Sequence, residues 1–295
     1  MDTGFTSKIF LPILKKNIRI KPITNRYYFD LIKYITNNDE EGISTYFDFI
    51  LNEIIIDNSI IKNLSNIDKF YILLNAKALS SGNKLQLIGK NEIKTEIKVS
   101  DITNTISIKL KDIDLTKIIL YDQMEITLSI PTNLYIDNID QIYKEIIFSI
   151  KIGDDILNFF ELTELEKDSI LTQLPVSMTG DILNYINSTQ KKFININLIN
   201  KNEKLGLDDL NLNAFDNTLF YFIKSLFNDN LRNFYELQFI LINKINMAYD
   251  HFLSITPNDC KVFINLYNED IKRQQEDQKS NSPSMPSMPT MPKFK

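Results

Sequence analysis

Apolar side chains recur at helical spacing along most of this chain and at period two in one central stretch. Helical spacing lays one stripe of apolar residues against a core, whereas strict alternation lays one face of a strand there. Tyr28, Leu31, Ile32 and Ile35 form the first helical stripe, behind Thr24 or Asn25 as its cap. A second helix follows Gly42 and Ser44, with Tyr46, Phe47, Ile50 and Leu51 on one side. A third begins near Asp68, an acid suited to a cap or first turn, and carries Phe70, Tyr71, Leu74 and Ala78. Ser81-Gly82-Asn83 ends it, Gly82 supplying the left-handed conformation that helix C-termini often need. Ahead of these helices, residues 1–23 read as an extended lead-in punctuated by Pro12 and Pro22, and Ile18-Arg19-Ile20-Lys21 alternates like a half-buried strand.

The period then changes. Ile93, Thr95, Ile97 and Val99 alternate with Lys94, Glu96 and Lys98. Ile106, Ile108 and Leu110 alternate with Ser107 and Lys109, and Met124, Ile126, Leu128 and Ile130 repeat the pattern. Such runs predict an antiparallel sheet with one wet face, so residues 84–150 read as a β-rich unit inserted between helical parts. Helices resume after Gly153. Thr163-Glu164-Leu165-Glu166 fits a capping box, Leu171 and Leu174 follow, and Pro175 closes that helix. Asp181 to Gln190 reads as another, with Ile182, Leu183 and Ile186 inward. Further stripes are Phe215, Leu219, Phe222 and Leu226, then Phe234, Leu237, Leu241, Ile245 and Ala248. Thr256-Pro257-Asn258-Asp259 opens a last helix bearing Val262, Phe263, Leu266, Tyr267 and Ile271.

From about Lys272 the apolar pattern dies, and residues 276–295 become polar, then rich in Ser, Met and Pro. Ser284-Met285-Pro286, Ser287-Met288-Pro289 and Thr290-Met291-Pro292 repeat, and proline at that spacing favours an extended, disordered tail. It reads either as a solubilising tail or as a docking peptide whose Met285, Met288 and Met291 anchor in a partner's groove. The expected fold class is therefore α+β. Its parts are a strand plus helices over 1–83, a β-rich insert over 84–150, a helical part over 151–275 and a disordered tail over 276–295.

Composition narrows the function classes. At 295 residues the chain can bury a substantial core, as one large domain or two ordinary ones, without a disulfide or metal staple. Hydrophobic content of 43% with 24% charged residues fits a soluble globular protein. A net charge of -5 argues against a general nucleic-acid binder. Lys15, Lys16, Arg19 and Lys21 form a local basic cluster whose plain reading is solvated side chains. Cys260 is the single cysteine, so no internal disulfide forms and a reducing compartment is expected. No run approaches the roughly 18 apolar residues of a membrane span, and no signal peptide is evident.

Catalytic constellations are not evident. His251 and Cys260 would make a nucleophile pair only if a cleft and an orienting group joined them, and both lie in or beside amphipathic helices. One Cys and one His do not build a structural zinc site. Asp154, Asp155, Glu161, Glu164, Asp208 and Asp209 are the acids to consider for a metal, but their spacing matches no calcium loop. The seven glycines form no phosphate loop or dinucleotide fingerprint, and nothing singles out a carboxylate pair for glycoside cleavage. No catalytic, cofactor-binding or metal-binding residue is assigned, and the chain is expected not to be an enzyme.

Three stretches stand together. The first is Phe10-Leu11-Pro12 followed by a strand and Lys21-Pro22-Ile23-Thr24. The second is Asp68, Leu73-Leu74-Asn75-Ala76-Lys77 and Ser80-Ser81-Gly82, similar to an Asp, an apolar helix and a Leu-Arg-Ala-Lys-Ser-like run ending in Gly. The third is the aromatic helix around Tyr249 to Phe252, Thr256-Pro257 and the last helix into Asp270-Ile271-Lys272. In these stretches the chain resembles the baseplate hub subunits and hub assembly proteins of T-even-type contractile-tailed phages. Asn75 stands where the run usually has Arg, and Leu87-Ile88-Gly89-Lys90-Asn91 stands where some relatives carry a cysteine pair, so no metal knuckle is implied. The resemblance implies a component or assembly factor of a contractile tail's baseplate hub that binds other hub or wedge proteins. It would be made in the host cytoplasm and carried in the virion baseplate if retained. On this view Asp68, Phe70, Leu74 and Gly82 matter for fold or docking. Two rivals are an assembly chaperone absent from the virion and a tail-associated cell-wall hydrolase.

Overall fold

The computed structural model describes residues 5–88, 94–111, 115–190, 195–196, 210–228 and 231–280. Strands β1 (Ser7–Phe10) and β2 (Asn17–Ile20) form an antiparallel hairpin with Ile9 opposite Ile18. Helix α1 (Asn25–Thr36) buries Tyr28, Leu31, Ile32 and Ile35, the stripe that its spacing predicts. Helix α2 (Glu40–Ile54) starts ahead of Gly42, because Asp39 caps it by accepting the Gly42 N–H. Helix α3 (Asn66–Ser81) is the axis of the molecule, with α2, α4 (Val99–Leu110), α8 (Thr218–Leu226), α11 (Pro257–Ser280) and β1 packed around it. Its buried residues occupy every side, among them Ile67, Phe70, Ile72, Leu73, Leu74 and Ala76, which is why it shows no clean amphipathic stripe.

Strands β3 (Lys84–Ile88) and β4 (Lys94–Lys98) make a second hairpin. The largest sheet has four antiparallel strands in sequential order: β5 (Lys117–Tyr121), β6 (Met124–Leu128), β7 (Ile147–Ile152) and β8 (Asp155–Asn158). Helix α5 (Ile139–Ile146) sits between β6 and β7 in the chain. Ile119, Ile126 and Ile150 are cross-strand neighbours on the inner face. Helices α6 (Glu164–Gln173) and α7 (Val176–Gln190) follow, then the short pair β9 (Asn195–Ile196) and β10 (Leu210–Asn211). Helices α9 (Leu231–Asn243) and α10 (Tyr249–Ser254) pack on each other and on α1, and α9 also packs on α11. The architecture is α+β with small antiparallel sheets, as expected, and the buried apolar residues form one cluster running from Ile9 to Cys260.

Several local expectations are corrected. Residues 106–110 belong to α4 and not to a strand, so β4 pairs with β3 instead. Ile102, Ile106 and Leu110 are spaced by four and all buried, whereas Ile108 is 75% exposed. Three apolar residues at alternate positions fit both periods when two of them are four apart. Val99 opens that helix and does not end a strand. The segment 84–150 thus contains two helices, and its sheet continues to Asn158. Helix α7 starts at Val176, ahead of Asp181, and buries Met178 and Tyr185 while Leu183 faces out. In α11, Val262 and Leu266 are exposed, and Cys260 with Phe263 and Ile264 faces the core. That helix continues to Ser280, so the tail expected from 276 begins no earlier than 281. The capping box at Thr163 and Glu166 is present with both of its reciprocal bonds.

Candidate interaction surfaces

The expected site residues on α3 lie inside the molecule. Ser65 caps the helix by accepting the Asp68 N–H at 3.1 Å, and the Asp68 carboxylate reaches the β1–β2 turn. There it accepts the N–H of Ile13 and of Leu14, each at 3.0 Å. Burial pushes the Asp68 carboxyl up to about 6, against the pull of those N–H groups. Phe70 and Leu74 are 0% exposed, and the Phe70 ring lies 5.8 Å from that of Phe222. Of the two roles expected, fold or docking, the burial of Asp68, Phe70 and Leu74 places their side chains in the fold. Gly82 caps α3 at φ 98 and ψ 162, the positive φ expected there combined with an extended ψ. Met285, Met288 and Met291 lie outside the described residues.

Sequence reasoning missed two lysines on the same helix. Lys69 is buried and reaches Asp48 at 2.7 Å. Lys77 is buried with its ammonium 4.6 Å from the Tyr28 ring and 5.0 Å from the Phe227 ring. The available signal was two cations in a helix apolar on every side. The basic cluster at the N-terminus does not act together. Lys15 crosses to donate to the carbonyls of Leu110 and Lys111 at the end of α4, and Lys16 pairs with Asp57. Cys260 is buried, with the Asn25 amide 3.0 Å from its sulfur, and burial pushes its thiol up to about 11. His251 instead packs against Phe263, its ring 6.4 Å away. Of the acids considered for a metal, Glu164 pairs with Lys144 and Lys167 and Glu161 accepts from Asn158, while Asp208 and Asp209 lie outside the described residues.

Two exposed surfaces stand out among the described residues. The outer face of the four-stranded sheet presents Ile118, Leu120 and Ile156, and the exposed Phe148 and Phe160 rings pack 5.7 Å apart. Leu120 is 72% exposed, and Glu125 and Lys151 lie between it and Ile156 across the strands. The second surface joins α1 and α2, where Tyr27, Phe49, Tyr46 and Tyr34 form a ladder of rings spaced 6.1, 5.5 and 5.1 Å.

The family model for the T4 bacteriophage base plate protein matches residues 4–215. The chain belongs to this family. No curated protein and no solved structure matches the chain. The match covers the hairpin, the α3 stretch and the sheet, so it includes the first two stretches of the resemblance, while the third lies beyond it. Family membership makes this a phage base plate protein, a component that meets other base plate proteins. Among the described residues no helix is long and apolar enough to cross a membrane.

Proposed function

We propose that this base plate protein is a structural or assembly component of the central hub of a contractile tail, acting by binding other proteins and not by catalysis. The observation that carries this reading is exposed apolar area at the two edges of the sheet, Ile118 and Leu120 on β5 and Ile156 on β8, together with the exposed Phe148–Phe160 pair. Burying these side chains against a neighbour is favourable at about 25 cal/mol per Å². Strands β5 and β8 border the sheet and offer main-chain hydrogen-bonding groups to a partner's strand.

The test is a pull-down of the tagged full chain from infected cells, read by mass spectrometry, with Leu120→Ser and Ile156→Ser as the perturbation and deletion of 276–295 as a second arm. Recovery of hub and wedge proteins that falls in the sheet variant supports the reading. Recovery of no tail protein refutes it. Mass spectrometry of purified virions separates a resident subunit from an assembly chaperone that leaves.

A further inference from the structure

A third apolar surface runs along α9. Tyr235, Phe239 and Ile242 stand at spacings of four and three, so they share one face of that helix, and Leu231 and Gln238 lie beside them. Tyr235 is 49% exposed and Phe239 58%, whereas Phe234 and Leu241 turn another side of the helix into the core. The platform is firm: the Tyr235 ring meets that of Phe29 at 82° with centroids 5.5 Å apart, and Phe29 stacks on Phe234 at 5.0 Å. Arg232 and Glu236 at its rim pair with each other at 2.9 Å. The chain supplies a segment whose pattern fits this face. The last described residue is Ser280, the end of α11, and residues 281–295 follow it. In them Met285, Met288, Met291 and Phe294 recur at every third position, and a proline follows each methionine. A proline-rich chain favours the polyproline helix, which has three residues per turn, so these four side chains share one edge. Grooves and ridges of aromatic rings are the surfaces on which such helices dock, and methionine sulfur packs favourably against aromatic rings.

Length and reach agree with the pattern. From Met288 to Phe294 the polyproline edge runs about 19 Å, and the α9 face from Leu231 to Ile242 runs about 17 Å. Helix α11 packs on α9, and its core-facing Cys260, Phe263 and Ile264 lie near its start. Ser280 stands about 24 Å further along the helix than Ile264. An extended return over that distance uses about eight residues, which leaves Met288, Met291 and Phe294 to lie on the face and Met285 on the way back. Tethering holds the segment at a local concentration on the order of millimolar, so a weak contact suffices. We propose that residues 288–294 dock back on the α9 face of their own chain, with Met288, Met291 and Phe294 against Tyr235, Phe239 and Ile242. The segment then covers apolar area that α9 otherwise presents to solvent. This is a property of the isolated chain, separate from the sheet face and independent of the proposed hub binding.

The experiment uses the purified full chain with a photo-crosslinking phenylalanine analogue in place of Phe239. The same analogue in place of Leu120 measures chance encounters of a tethered segment. Mass spectrometry identifies the crosslinked peptide, and an equal mixture of isotope-labelled and unlabelled chains tells a bond within one chain from a bond between two. The expected result is crosslinking from the Phe239 position to residues 288–294 of the same chain, roughly fivefold above that from the Leu120 position. Rearranging residues 284–294 so that composition stays but the three-residue period is lost should lower the yield roughly fivefold as well. In the chain without the analogue, methyl NMR should show the Met288 and Met291 methyl signals shifted by the aromatic rings, and Phe239→Ser should return them to the positions of an unfolded peptide. No crosslink from the Phe239 position, crosslinks to another segment or between two chains, or equal yields at the two positions overturn the proposal. So does a yield indifferent to the rearrangement, or methyl signals indifferent to Phe239→Ser.

Discussion

Asp68 offers the sharpest physical test, because a carboxyl in the core opposes the usual trend of stability with pH. Its carboxyl titrates near 6 in the folded chain, against 3.8 for an ordinary aspartate, chiefly because burial penalises the charge. Between those values the folded chain holds a proton that the unfolded chain has lost. Stability from this group is therefore fully present below about pH 4, falls as pH rises to about 6, and is level above. The interval between 3.8 and about 6 corresponds to about 3 kcal/mol. Asp57, Glu40, Glu164 and Glu166 are held below their ordinary values by their hydrogen bonds, helped at the first three by a neighbouring lysine, and act in the opposite sense over the acid range. The measurement must therefore isolate Asp68. Asp68→Asn keeps an amide oxygen for one of the two N–H groups of Ile13 and Leu14 but cannot ionise. Urea unfolding of the two proteins at intervals from pH 4 to 7.5 gives their difference in free energy. That difference should move by about 3 kcal/mol against the natural chain as pH rises. A difference that is flat across the range, or that moves the other way, refutes the reasoning and means that the two N–H bonds outweigh burial.

Other expectations follow from the same packing. Leu74→Ala should destabilise the chain by about 2–5 kcal/mol in urea unfolding, because Leu74 is fully buried on the central helix, whereas Leu120→Ser on the outer sheet face should stay within about 0.5 kcal/mol. Equal effects would mean that the two positions are wrongly placed. Gly82→Ala should cost about 1–3 kcal/mol, all of it backbone strain, since φ is 98 and no atom lies within 4 Å of where the Cβ would stand. A neutral result in thermal unfolding would show that the turn relaxes. Cys260 should resist iodoacetamide at pH 8 in the native protein and react readily in urea, because its thiol is buried and pushed up to about 11. Labelling at the same rate in both conditions would contradict that burial.

Periodicity alone determined much of this protein. The stripe of α1, the inward Leu219 and Phe222 of α8 and Phe234 and Leu241 of α9, the alternation of β6, the capping box at Thr163 and the cap at Thr256 were all legible, because each depends on residues within about four positions, whereas Phe215 lies ahead of α8 and Ile245 and Ala248 lie beyond α9. The same locality misled at Ile106-Ser107-Ile108, where one short run fits a strand and a helix and only the burial of Ile102 and Ile106 on one side decides between them. It marked α3 and its end at Gly82 but named only one stripe, since a helix buried on every side has no polar face to show that residues such as Ile67, Ile72 and Leu73 are inward too. That Asp68 holds the turn at Ile13 and Leu14, that Lys15 closes the end of α4, and that Lys77 lies between Tyr28 and Phe227 were decided by contacts across tens of residues. The candidate surfaces belong to the same class. Leu120 reads in sequence like any strand residue and Phe49 like any core aromatic, and both lie outside because the elements beside them leave those faces uncovered. A hydrophobic pattern states which residues prefer burial, and tertiary packing alone determines which of them obtain it.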